Sequence, residues 1–249
     1  MNRYRSSFYD SIVEPEEKDI TADDHFAKAI GFIEACLDPA LRYNLLDIGF
    51  ANTFFLDLMV ERHRNISGFG CDISEIRIAG ASREAGIQYQ VVDFNDCSSA
   101  YPESFFDFIF AGEIIEHLEN TDNLITECKT YLKSGGYIII TTPNIAAWYE
   151  RILLLLGMMP LMSEVSYESR TFGKRMLYQL ARKDESVPIG HLRLFTPAAL
   201  RELCEYHGLE FVEHRGYYFH DFALNRWISG LYANLAQGIF MVFRKPAPL

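Results

Sequence analysis

From residue 43 onward, short apolar runs of strand length alternate with amphipathic stretches, and this alternation constrains the fold more than any other feature. YNLLDIG (43–49), ISGFGCDI (66–73), IQYQVVDF (87–94), FFDFIFAGE (105–113) and YIIITTPN (137–144) read as strands. FFLDLMVERH (54–63), SEIRIAGASREAG (74–86) and NTDNLITECKTYLKSGG (120–136) read as helices, the last ending in a Gly-Gly turn. Strands apolar along nearly their whole length are covered on both faces, and strand–helix alternation makes them parallel. The pattern predicts an α/β chain with a mostly parallel sheet and helices on both faces. Ser74 suits a helix N-cap and Gly86 a C′ position.

Toward the ends, DDHFAKAIGFIEACL (23–37) places Phe26, Ile30, Ile33 and Leu37 at helical spacing. TPAALRELCEYHG (196–208) is a helix with Thr196 as N-cap and Pro197 at its first position. LEFVEHRGYY (209–218) and GIFMVFRK (238–245) are strands without a convincing crossover helix between them, so the last strand is expected to pair antiparallel. Residues 1–22 read as a loose lead-in. Residues 145–190 break the alternation: a greasy helical stretch is followed by a polar one carrying Arg170, Lys174, Arg175, Arg182 and Lys183. This segment is expected to be a helical cap inserted in a single domain spanning residues 1–249.

The chain has 23 basic and 34 acidic residues, a net charge of −11. That balance argues against a generic nucleic-acid binder, whose affinity comes largely from neutralising phosphates. Five scattered cysteines without a C-x-x-C pair argue against a disulfide framework or structural zinc, and fit a reducing cytoplasm. The polar start lacks a signal-peptide core, and the greasiest run, ILLLLGMMPL (152–161), is far short of the roughly 20 residues that span a bilayer. A soluble, cytoplasmic protein is expected.

In parallel sheets ligands bind beyond the C-terminal strand ends, and four consecutive ends here carry polar or glycine residues. In LLDIGFANT (45–53), Gly49 allows a sharp turn and close approach, and the following helix start suits a carboxylate. Asp47 before the turn can accept from an ammonium. Asp72, 25 residues later, can accept both hydroxyls of a ribose, with Ile73 offering an apolar face to a purine. Asp93-Phe94 ends the third strand, where the acid can accept from an exocyclic amine. Ala111-Gly112-Glu113 ends the fourth. Together they fit one ligand with adenosine and amino-acid parts. A dinucleotide is the weaker fit, because no second and third glycine follow Gly49 in the G-x-G-x-x-G register.

Over roughly residues 25–245 the chain resembles the class I S-adenosylmethionine-dependent methyltransferases, in the ubiquinone- and glycan-pathway-like group. LLDIGFANTFFLDL resembles the first motif, GCDIS the acidic second-strand end, and VVDF the adenine-binding third-strand end. FDFIFAGEIIEHLEN, LKSGGYIIITTPN and GHLRLFTPAALRELCEYHGLEF resemble the later blocks in order. The resemblance implies a Rossmann-like seven-stranded sheet with an antiparallel last strand. It also implies S-adenosylmethionine as donor and S-adenosylhomocysteine as product. Asp47, Gly49, Ala51 and Asn52 would then hold the methionine end, Asp72 the ribose with Ile73 against the purine, Asp93 and Phe94 the adenine, with Gly112 alongside. Ala51 and Thr53 depart from the usual glycines, and Thr53 falls where a helix N-cap or first residue would sit.

Methyl transfer needs in-line positioning, and an oxygen acceptor also benefits from a general base. Glu113, Glu116, His117, His191 and Arg193 are the candidates near this edge. His191 is read as base or substrate contact and Arg193 as orienting an anionic group, against the alternative that both brace the insertion. His117 is read as a catalytic candidate or a brace for its helix. Metal-dependent enzymes of the catechol type need acids at successive strand ends to ligate magnesium, and Thr142-Pro143-Asn144 after the fifth strand offers only Asn144, so no metal is expected. The expected reaction is O-methylation of a small, sugar-linked or lipid-linked metabolite, with peripheral membrane contact conceivable. The rival is a methyltransferase-like scaffold without turnover.

Overall fold

The computed structural model describes residues 24–50, 53–81, 86–181, 187–219 and 223–247. The lead-in 1–22 therefore lies outside the described residues. Along the chain run α1 (Asp24–Cys36), β1 (Tyr43–Ile48), α2 (Phe54–Arg62), β2 (Ile66–Asp72), α3 (Glu75–Gly80), β3 (Ile87–Val91) and β4 (Phe106–Gly112). Then follow α4 (Thr121–Tyr131), β5 (Leu132–Pro143), α5 (Trp148–Leu155), α6 (Arg175–Ala181), α7 (Pro197–Tyr206), β6 (Glu210–Tyr217), α8 (Ala223–Leu231) and β7 (Gly238–Arg244). The seven strands form one sheet in the order β3-β2-β1-β4-β5-β7-β6. β1 through β5 pair in parallel, and β7 runs antiparallel to both β5 and β6. The Rossmann-like sheet with a reversed last strand is as the sequence predicts.

Burial on both faces explains the unbroken apolar strands. On β1, Leu45 joins Phe55, Leu56 and Met59 of α2 and Ile30 and Ile33 of α1 in one core. Its neighbour Leu46 points the other way, into a second core with Leu124 and Cys128 of α4 and Leu200 and Cys204 of α7. Successive strand side chains alternate faces, so a central strand serving two cores needs apolar residues at consecutive positions. Its exception is Asp47, buried at the C-terminal end.

Several boundaries differ from expectation. α3 stops at Gly80, closed by the Ala81 N–H on Ile78 O, so Gly86 is not its cap. Ser74 does cap its start, accepting from the Arg77 N–H at 3.2 Å. α4 ends at Tyr131, and the Gly-Gly pair lies inside β5 as a register irregularity, not in a turn. Gly135 N–H and Gly136 O there exchange bonds with Lys245, which extends the sheet edge. A nine-residue helix, α8, does lie between β6 and β7. Its Leu224, Trp227 and Leu231 are exposed while Asn225 and Ile228 are buried, so among its described side chains the inward face mixes one polar and one apolar residue.

Among the described residues of the 145–190 segment, α5 and α6 are the helices. Between them the irregular backbone is satisfied by buried charge. Glu150 accepts the N–H groups of Leu161 (2.8 Å) and Met162 (3.3 Å), and Lys174 donates to the carbonyls of Pro160, Leu161 and Ser163. Arg182 and Lys183 fall outside the described residues.

Candidate active site

A cavity of about 500 Å³ opens at the C-terminal edge of the sheet. Asp47 and Gly49, Asp72 and Ile73, Asp93 and Phe94, and Gly112 and Glu113 all line it, bringing four successive strand ends together. Ala51 and Asn52 lie outside the described residues. Gly49 has φ +73°, and a Cβ there would sit 2.9 Å from Ile114 Cδ1, so both backbone and space require glycine. Thr53 occupies the N-cap position of α2, but its hydroxyl accepts no backbone N–H. It donates instead to Asp57 Oδ2 at 2.6 Å within the first turn.

The floor is acidic and buried. Burial first, then the charge of Asp72, raises the Asp47 carboxyl to about 8. Asp72 accepts from the Ser74 N–H at 2.8 Å and from Arg77 Nη1 at 3.4 Å, yet burial still holds it above the usual carboxylate range. Asp93 Oδ1 accepts from the backbone and side-chain nitrogens of Asn95, each at 3.0 Å. Asn95 in turn accepts the Glu119 and Asn120 N–H groups, bracing the rim. Such a floor suits a ligand that brings an ammonium, hydroxyls and an amine.

Opposite lie the ionisable groups of the reacting end. Glu113 adopts φ +52°, and its Oε1 accepts from Thr141 Oγ1 at 2.9 Å and from the Tyr217 hydroxyl. Burial raises it to about 7 despite those bonds. Glu116 accepts from Thr142 Oγ1 at 2.9 Å and is pushed well up, by burial and then by Glu113. His117 Nδ1 meets Gly190 O at 3.1 Å, and His191 Nδ1 meets Met162 O at 2.9 Å. A carbonyl only accepts, so each Nδ1 carries the hydrogen and each Nε2 keeps its lone pair. Burial lowers His117 to about 3 and also lowers His191, so both rings are neutral. The rings are 5.0 Å apart, and Glu116, His117 and His191 each offer a ligating atom within 4.8 Å of the others. The sequence reading puts all three near this edge, but no spacing joins His191, which lies beyond the cap, to Glu116 and His117 as one cluster.

Arg193 is not among the cavity-lining residues; its guanidinium donates to Glu119 O at 2.9 Å. Arg170 of the cap lines the cavity instead, with Nε donating to Tyr178 OH at 3.0 Å. His25 and Phe26 of α1, Met162 and Phe219 also reach the cavity. Burial lowers His25 to about 4. On the sequence these sit in an ordinary amphipathic helix, a greasy run and a loop, with no spacing that ties them to the strand ends.

A doubly covered sheet of this order, with acids at successive strand ends around one cavity, defines a class I S-adenosylmethionine-dependent methyltransferase. The chain belongs to the methyltransferase domain family, whose pattern spans residues 14–214. Enzymes of this class take S-adenosylmethionine as methyl donor. The ubiquinone biosynthesis O-methyltransferase of Albidiferax ferrireducens is 24% identical over 112 residues, 43% of this chain and 44% of that protein. In several such matches, this one among them, the chain spans less than half of the relative's length. The enzyme of the same description from Glaesserella parasuis is 23% identical over 191 residues, covering 74% of this chain and 72% of its own. Among solved structures, the complex of the Haloferax volcanii Trm112 activator with a methyltransferase contains a chain with TM-score 0.59 and 15% identity. That match covers 91% of this chain and 92% of the other. Among the described residues no helix is long and apolar enough to cross a membrane.

Proposed function

We propose that this methyltransferase acts on an oxygen of a small, sugar-linked or lipid-linked acceptor, with His191 as the general base. The observation that carries the reading is the neutral His191 ring in the cavity wall, its Nδ1–H fixed on Met162 O so that Nε2 is left to accept. An alcohol or phenol sheds its proton as it attacks the methyl carbon, and a neutral imidazole takes it. Asp47, Gly49, Ala51 and Asn52 receive the methionine end, Asp72 the ribose, Ile73, Asp93 and Phe94 the adenine, with Gly112 beneath. Glu113 is the second proton acceptor, and His117 holds Gly190 in place. Arg170, not Arg193, supplies positive charge at the acceptor end.

Residues 145–190 form the cap that selects the acceptor, within a single methyltransferase unit. The exposed Leu154, Leu155 and Leu156 at the end of α5 support a lipid-linked acceptor delivered at a membrane surface. Five free thiols support action in a reducing cytoplasm.

The test uses labelled methyl donor with a metabolite extract. His191→Ala is expected to lower transfer by about 100-fold or more while calorimetric affinity for S-adenosylhomocysteine stays within about twofold. Transfer that survives in this variant removes the base assignment. A folded protein giving no heat with either donor or product would instead be a methyltransferase-like scaffold. The approach of Glu116, His117 and His191 favours a second reading, in which the three hold a cation that orients the acceptor. Turnover lost on chelation and restored by one divalent ion would establish that reading over the base.

A further inference from the structure

We infer that Glu164 is a positioning residue, whose carboxylate gathers the backbone of residues 189–191 and so presents His191 to the cavity. The inference rests on the reading of His191 as the base. Residues 189–191 belong to no helix or strand, so no ladder of backbone bonds holds them. Three successive N–H groups converge instead on one side chain. Ile189 donates to Glu164 Oε1 at 2.8 Å, and Gly190 and His191 donate to Oε2 at 2.8 and 3.3 Å.

Glu164 is itself anchored, since it follows directly on the stretch 160–163 that is gripped from two sides. Glu150 accepts its N–H groups, and the buried Lys174 donates to three of its carbonyls, at 2.5 to 3.2 Å. Within that stretch, Met162 O receives the His191 ring N–H. One short segment therefore fixes both the backbone and the ring of His191. The same loop turns Gly190 O toward His117 Nδ1, so the grip on 189–191 reaches the core histidine as well.

The charge of Glu164 also acts on the ring. Around His191 stand Glu164, Arg170 and Lys174 of the cap, with His117 and Glu116 of the core. Burial lowers His191 most; the Met162 bond and Glu164 oppose this, while Arg170 and Lys174 add to it. Replacing Glu164 by glutamine removes a contribution that raises His191, so its titration should move to lower pH. A base must be deprotonated to act, so the acid limb of the rate profile should move the same way. A residue that merely stabilised the cap would shift neither.

The experiment compares Glu164→Gln, Glu164→Asp and His191→Ala in the full chain, following histidine ring nitrogens by NMR. The His191→Ala spectrum assigns the resonance. In Glu164→Gln, whose amide nitrogen cannot accept, His191 is expected to leave its single Nδ1–H form for a mixture of tautomers and to titrate at lower pH. Methyl transfer into a metabolite extract should fall by about tenfold or more, with S-adenosylhomocysteine affinity within about twofold. Glu164→Asp keeps the charge but has a shorter reach, so it should keep the titration midpoint while still mixing the tautomers.

An unchanged His191 spectrum and titration in folded Glu164→Gln overturns the inference. Should that variant fail to fold, an unmixed tautomer in Glu164→Asp overturns it equally. Failure of the base reading looks different: transfer would survive in His191→Ala while the Glu164 variants still disturb the ring.

Discussion

At Asp47 two demands oppose each other: the strand end must be buried to close the sheet, and the carboxylate must be charged to hold an ammonium. Burial and the charge of Asp72 raise it to about 8, so in the free protein at neutral pH it carries a proton much of the time. Its folded value lies above the ordinary 3.8, so the folded state binds the extra proton. This contribution therefore favours folding at low pH and is lost as pH rises from about 4 to about 8. An ammonium seated against Asp47 favours the charged form and drives the proton off. Donor affinity should then rise with pH and level off above about 8. The check is calorimetry at pH 7 in buffers of different ionisation enthalpy. Binding heats should scale with the buffer in the native protein and not in Asp47→Asn. Heats independent of buffer in the native protein would end the assignment.

Among the elements, β6 and β7 show how a structural contact sets a reactive group. Tyr217 of β6 lies opposite Gly238 of β7, and a Cβ on Gly238 would fall 2.0 Å from the ring's Cζ. The ring lies flat over the glycine, and its hydroxyl reaches Glu113, where its bond holds the carboxyl lower than burial alone would. Gly238→Ala should displace the ring and destabilise the fold by about 1–3 kcal/mol, as overpacking does. It should also raise the Glu113 titration above about 7, because a bond to the charged form is lost. Gly230→Ala on α8 is the control: nothing lies within 4 Å of that position, so a neutral or slightly stabilising change is expected in chemical denaturation.

What the sequence disclosed follows the same physics. β1, β2, β4 and the second half of β5 were legible because burial on both faces disfavours polar residues along the run. The edge strand β3 showed by its alternation with exposed Gln88 and Gln90, and the strand-end acids stood out against that background. The Gly-Gly segment was misplaced because Gly135 and Gly136 are held by Lys245, over a hundred residues away, and no local signal marks such a partner. α8 was missed because Leu224, Trp227 and Leu231 face outward while its buried side turns Asn225 as well as Ile228 inward, which leaves no clean apolar face to read. Of the site, the donor-side acids were legible, while Arg170 looked like a member of a solvated polar stretch and Glu164 fell at the end of a greasy one. Their roles come from contacts made across the fold, as when Glu164 takes the N–H groups of 189–191.

On the scale of the whole molecule, one cavity is closed by segments far apart in sequence. α1 supplies His25 and Phe26, the sheet supplies the acids, the cap supplies Met162 and Arg170, and the chain beyond β6 supplies Phe219. A ligand filling that space binds only when all four are assembled, so its binding energy should stabilise the fold as a unit. S-adenosylhomocysteine at about 100 times its dissociation constant should add about 2.7 kcal/mol. For a chain of 150–250 residues, roughly 2–4 °C per kcal/mol then predicts a rise in Tm of about 5–11 °C. Denaturation of the Trp227→Phe variant, followed both by far-ultraviolet circular dichroism and by the fluorescence of Trp148 in the cap helix α5, tests whether the cap shares in this. If the cavity joins cap to core, both probes report one transition and both midpoints move together with ligand. Two transitions, with only the core's shifted, would mean that the cap folds apart from the donor site, and acceptor selection would then have to lie elsewhere.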